Sequence, residues 1–387
     1  MLKGPLRARP LAQEFTMPDK DSHAGWSMTD PAAALSSFLA ALPAQPQLLG
    51  LGEPTHGVEV FPLWRNRIFQ TLVETQGFRS IAIESDIIAG LQVDAYVASG
   101  QDTLDEVLTS GFSHGFGRVQ ANRDLVVWMR GFNAGRDEMD RLKFYGFDPP
   151  VENMWAASPR HSLLALHDFL STRFPHLPIY RAALEQLCGD DARWTNPAAA
   201  LDPSQSVGAT ADAWHLRALT DDLLGFLETQ RPGLGVQTDL WEAQLHARIA
   251  QGLLRYHANL ATPSPDRISQ MLALRAVMMT GNLLAIAERE AQRGPTLIFA
   301  HNSHLQRGAS QIRMDTMKAD WWPAGAHLLH GVGAQYAVIA MTSSEGADLL
   351  PLEAVEDRRH CGPRLLATLG RLEGDGILFT AKPIEPG

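Results

Sequence analysis

Four short apolar runs, at residues 47–52, 79–84, 142–147 and 296–300, are each followed or preceded by sequence of helical periodicity, and this alternation constrains the chain more than any other feature. After the first run the apolar residues recur at helical spacing to about Thr75. The stretch from Asp86 to Val97 and the stretch from Leu125 to Phe132 follow the same rule. Strands that alternate with helices bury both sheet faces by crossing over in parallel, so the expected fold class is α/β, a largely parallel sheet flanked by helices. Upstream, Asp30 and Pro31 supply a helix start, and Leu35, Phe38, Leu39 and Leu42 repeat at helical spacing before Pro43.

Between about 159 and 293 no strand pattern occurs. Trp214, Leu219, Leu223 and Phe226, then Trp241, Leu245, Ile249 and Leu253, mark helices instead. The expected organisation is therefore a lead-in and helix at 1–45, an α/β catalytic core at 46–158 and 294–387, and a helical insertion at 159–293 that forms one wall of a cleft. Residues 1–28 mix charges with Pro10 and Pro18 and read as a loosely ordered lead-in. The tail, from 336–340 to 376–379, is expected to return strands to the sheet edge.

Composition narrows the partners. Lys plus Arg number 33 against 43 Asp plus Glu, a formal charge of −10, which argues against a nucleic-acid footprint or an anionic membrane surface. The N-terminal segment lacks an apolar signal core, and no stretch reaches about 18 uninterrupted apolar residues. Cys188 and Cys361 are too few for a disulfide framework or a cysteine zinc site. The expectation is a reduced, cytoplasmic protein with a small-molecule substrate, no nucleic-acid or membrane partner and no cofactor.

Fourteen histidines in an acidic chain pose the chemical question. Ligands of open parallel sheets sit beyond the carboxyl ends of the strands, and each of the four runs exits into ionisable residues. The first delivers Glu53 and His56, the second Glu84 and Asp86, the third Asp148, and the fourth His301 and His304. His56 precedes a helix N-terminus, whose dipole disfavours imidazolium and so favours a general base, while Glu53 or Glu84 would oppose that shift and orient the ring. Arg65 lies among Phe61, Trp64, Ile68 and Phe69, where a solvated arginine is not expected, and is a candidate to bind a carbonyl oxygen or carboxylate.

Two other constellations compete. Glu53, His56, Glu84, His301 and His304 also make a plausible catalytic zinc set, although His-x-x-His at a strand end is not the helical His-Glu-x-x-His arrangement. Gly111-Phe-Ser113-His-Gly115 matches a nucleophile elbow by letter, but the elbow needs a strand before it, and residues 104–109 read as helix. A flexible glycine loop that presents Ser113 and His114 to a pocket is the preferred reading. A non-catalytic binding protein that keeps the cleft is the remaining alternative.

Gly52-Glu-Pro-Thr-His-Gly57, Arg65, Ile81-Ala-Ile-Glu84, Trp128-Met-Arg-Gly-Phe-Asn133, Phe144-Tyr-Gly-Phe-Asp148, Arg275 with Met279 and Asn282, and Ala300-His-Asn-Ser-His304 occur in that order. Together they resemble the motifs of the erythromycin esterase family over roughly residues 47–305. The resemblance implies an α/β core with a helical part around a deep cleft, and hydrolysis of an ester or lactone by activated water without a metal. It also implies His56 as general base, with Glu53, Arg65, Glu84, His301 and His304 completing the catalytic group; the mechanism expected from these residues has Arg65 and one of the last two histidines stabilise the oxyanion or protonate the leaving alcohol. His114, Ser113, Asp148 and Arg275 are the expected substrate-binding residues. The chain departs from the family pattern at Ala276 and in the 112–117 loop.

Overall fold

The computed structural model describes residues 25–27, 30–152, 155–235, 238–314, 317–343, 365–369 and 378–381. Most of the expected lead-in lies outside the described residues. The four apolar runs form the strands Leu48–Glu53, Ser80–Asp86, Lys143–Asp148 and Thr296–His301. They are contiguous in one eight-stranded sheet. Its order is Gly25–Ser27, Leu378–Ala381, Leu365–Leu369, Tyr336–Ser343, Leu48–Glu53, Thr296–His301, Ser80–Asp86, Lys143–Asp148. From Leu365–Leu369 onward every neighbouring pair is parallel, and the pairs before it are antiparallel.

The tail extends one side of the sheet as expected, through Tyr336–Ser343, Leu365–Leu369 and Leu378–Ala381, but Tyr336–Ser343 itself is an interior strand paired on both sides. The reason is its composition: Tyr336, Ala337, Val338, Ile339 and Met341 are all buried, and a strand apolar on both faces belongs where both are covered.

Alternate residues of the strands feed two cores, as the pleat requires. Leu49, Leu51, Ile81, Ile83, Leu297 and Phe299 pack against the helices Val60–Gln76 and Gln120–Asn133, through Ile68, Phe69, Leu125 and Met129. On the opposite face Leu48, Ala82, Phe147, Ile298 and Ala300 meet Met279, Leu283 and Ile286 of the helix Arg267–Glu290. No strand lies between Arg160 and Glu290 among the described residues. Much of that region has its own core, which includes Leu163, Leu166, Leu170, Leu216 and Leu223. The hairpins Val151–Glu152 with Trp155–Ala156, and Ser310–Met314 with Met317–Trp321, were not anticipated; strands so short carry little alternation.

Candidate active site

Parallel register brings the strand ends level, with Glu53 opposite His301 and Asp86 opposite Asp148. Between Ile83 and Asp86 the pairing slips by one residue, a bulge that spans Glu84 and Ser85 and redirects them. Gly146 makes room for it. A Cβ at that position would stand 2.4 Å from the Asp86 carbonyl oxygen and 2.5 Å from that of Ser85.

His56 sits in the turn before the helix Val60–Gln76, with Nδ1 2.7 Å from Glu53 Oε1 and Nε2 3.8 Å from Glu84 Oε1. Its side chain is 40% exposed while those of Glu53 and Glu84 are 5% and 3% exposed, so only the imidazole of this trio reaches solvent. Burial lowers the His56 pKa, but the hydrogen bond to Glu53 and the charges of Glu84 and Glu53 outweigh it, and the net shift is upward. The carboxylates therefore dominate the helix-dipole effect expected from sequence. Glu53 itself is raised, chiefly by burial, against its hydrogen bond and attraction to His56.

Glu84 is the hub. Its Oε1 lies 3.1 Å from His304 Nε2 and 3.0 Å from Arg275 Nη2, and its Oε2 accepts the His301 backbone N–H at 2.8 Å. Burial opposes ionisation, yet His304 and Arg275 hold this carboxyl well below its usual range. His301 uses both ring nitrogens within the protein: Nε2 donates to the Pro54 carbonyl at 2.8 Å, and Nδ1 accepts from the Ser303 N–H at 3.1 Å, with the Ser303 hydroxyl 2.7 Å away. Burial is the first cause that lowers its pKa to about 4, so the ring is neutral and engaged at both nitrogens.

Arg65 is 1% exposed. It donates to the side-chain oxygens of Asn66 and Asn122, with Nη1 2.7 Å from the latter, and stacks over Phe299 at 4.9 Å. Burial lowers its pKa to about 9 against the charges of Glu53 and Glu59. It lines a cleft together with Glu53, Asn122, Ile83, Phe116 and Phe299.

A second cluster adjoins the first. Asp148 is fully buried between Arg275, at 2.9 Å to Nε and 2.5 Å to Nη2, and His114, at 2.9 Å to Nε2. Arg275 thus bridges Asp148 and Glu84. Ser113 accepts the Asp86 N–H at 2.8 Å and donates its own N–H to Ser85 at 2.9 Å. It follows the helix Leu104–Ser110, not a strand, so no nucleophile elbow forms. These bonds pin the loop expected to be flexible. Gly117 packs so closely that a Cβ would lie 1.7 Å from the Leu108 carbonyl oxygen.

Asn122, Phe116 and Phe299 were missed by sequence reasoning. Asn122 carried a usable signal, since it shares the helical face of Leu125, Val126 and Met129 and is a polar residue at a core position. Among the described residues no group of three or more His, Cys, Asp or Glu side chains is arranged to hold a metal ion. His56 Nδ1, His304 Nε2 and both nitrogens of His301 are turned onto Glu53, Glu84, Pro54 and Ser303.

Residues 73–360 match the family model described as erythromycin esterase, which is more than half of the chain. The chain belongs to the erythromycin esterase family. The match takes in Glu84, Arg275, His301 and His304 and begins after Glu53, His56 and Arg65. Erythromycin esterase type II from Escherichia coli is 24% identical over 346 residues, which span 84% of this chain and 76% of that protein. A Bacillus cereus protein of solved structure superposes with a TM-score of 0.61 at 20% identity, over 83% of this chain and 72% of that one. The open conformation of a mutant of the erythromycin esterase EreC gives 0.59 at 19% identity, over 89% and 92%. Members of the erythromycin esterase family thus share this α/β fold.

Proposed function

We propose that the protein hydrolyses a carboxylic ester or lactone, with His56 as the general base that activates water. The observation that carries this reading is the His56 environment: one imidazole reaches solvent beside the cleft that Glu53 lines, its Nδ1 held at 2.7 Å by that buried carboxylate. An ionised Glu53 accepts from Nδ1–H, which leaves Nε2 as the acceptor. Nε2 and Glu84 Oε1 are both acceptors 3.8 Å apart, a spacing that one water can bridge by donating to both. Such a water is positioned and deprotonated by one ring, a contribution of about 10² to 10⁴-fold. Arg65, cationic on the cleft floor, is the donor available to a developing oxyanion, and its shielding from water strengthens that interaction.

Family membership supports hydrolysis of esters; the name of the E. coli relative makes a macrolide lactone the first substrate to try. Turnover in this reading needs no metal. The test is a screen of ester and lactone substrates with wild type, chelator-treated wild type and His56→Ala. Turnover is expected in the first two and lost in the third, which keeps the wild-type circular dichroism. Near-normal activity of His56→Ala, or loss of activity on chelation, refutes this mechanism.

A further inference from the structure

The His301 nitrogens are both bonded within the protein, while His304 binds Glu84 through Nε2 and buries Nδ1 away from solvent without a partner. Neither ring is placed to hand a proton to a departing alcohol. His114 is. Its ring and that of His56 lie on the same aromatic side chain, with centroids 5.6 Å and 5.3 Å from Phe116. Each pairs one nitrogen with a buried carboxylate, His56 Nδ1 with Glu53 and His114 Nε2 with Asp148 at 2.9 Å. The other nitrogen of His114, Nδ1, comes no closer to a carboxylate than 3.9 Å, the separation from Glu152 Oε1.

The backbone shows that this placement is specified. His114 has φ +56°, a left-handed conformation that is uncommon for residues with a side chain. It is held there by Glu152, which accepts its N–H at 2.9 Å. Local strain of this kind persists where surrounding contacts over-determine a residue, commonly at functional sites. Arg275 completes the link, since it pairs with both Asp148 and Glu84 and ties the two histidine sites into one charged network.

We propose that His114 is the general acid that protonates the leaving alcohol, with Asp148 holding its ring. The inference rests on the hydrolase reading above. In the first step His56 takes a proton from water as the new C–O bond forms at the carbonyl. In the second the bond to the leaving oxygen breaks, its electron pair goes to that oxygen, and His114 Nδ1 supplies the proton. Solvent then carries the proton from His56 back to His114, and the products are one acid and one alcohol.

The test compares 4-nitrophenyl butyrate with ethyl butyrate, which share an acyl group and differ in how much the leaving oxygen needs a proton. The enzymes are wild type, His56→Ala, His114→Gln and His114→Asn; asparagine tolerates the left-handed backbone and guards against misfolding. His114→Gln and His114→Asn are expected to lose about 10² to 10⁴-fold in kcat on the ethyl ester and less than about tenfold on the nitrophenyl ester. His56→Ala is expected to lose both. Equal losses on the two esters in the folded His114 variants, or no loss on either, overturn the general-acid role and leave the hydrolase reading standing. Failure of wild type on both esters, and on the lactones of the preceding screen, removes the hydrolase reading and this proposal with it.

Discussion

At the scale of single residues, the site works by setting carboxylates against burial. His56 must be neutral to act as a base, and its pKa is raised above the ordinary 6.5 despite burial, by Glu53 and Glu84. Activity should therefore rise with pH through a value above 6.5. Glu53→Gln removes the largest raising influence while keeping an acceptor for Nδ1–H, so the acidic limb of the kcat/KM profile should move to lower pH. An unmoved limb would mean that another group controls it. Asp86 shows the opposite balance. Burial raises its carboxyl from 3.8 to about 6, against hydrogen bonds from the Ile88 and Ala89 N–H groups that it caps. The folded protein thus keeps a proton that the unfolded chain releases between those values, and stability falls as pH rises through that window. Asp86→Asn retains a capping side chain without the charge. It should be more stable than wild type above pH 6, by at most about 3 kcal/mol, with the gain shrinking toward pH 4 in thermal melts.

At the scale of elements, the bulge in Ser80–Asp86 and the helix Arg267–Glu290 do the positioning. The bulge places Glu84 where it meets His304, Arg275 and the His301 N–H at once. Gly146→Ala would push a Cβ against two carbonyl oxygens of that bulge. A loss of roughly 1–3 kcal/mol is expected from overpacking, accompanied by a fall in kcat as Glu84 shifts; a change in stability with kcat intact would detach the bulge from catalysis. The helix Arg267–Glu290 lay inside the expected helical insertion, yet Met279, Leu283 and Ile286 pack it under the sheet. That contact fixes Arg275 between Glu84 and Asp148. A buried pair of carboxylates would be costly without it.

At the scale of the whole molecule, chain order and sheet order differ sharply. Leu48–Glu53 is flanked by Tyr336–Ser343 and Thr296–His301, so its partners come from the last third of the chain. A fragment that ends at residue 293 would leave that strand without either neighbour and remove the backbone that donates to Glu84. Such a fragment is expected to show helical circular dichroism but no cooperative unfolding of the sheet core; a sharp transition with native-like stability would contradict it.

Much of this was legible in the residues themselves. Apolar runs, helical spacing and ionisable residues after each strand are local patterns, and local patterns determined the α/β class, four contiguous strands of the sheet and the clustering of Glu53, His56, Glu84, His301 and His304 at their carboxyl ends. Tertiary structure decided the rest. Which histidine nitrogen is free depends on what the ring meets, and His301 meets Pro54 and Ser303, whereas His114 meets Asp148 through a loop pinned to Ser85, Asp86 and Glu152. The net shift of His56 likewise depends on distances to carboxylates from two strands, and a helix-dipole argument made from sequence points the other way. Residue type sets what a side chain can do, while burial and neighbours, which arrive from more than two hundred residues away in the pairing of Glu84 with His304, set the protonation state in which it does it.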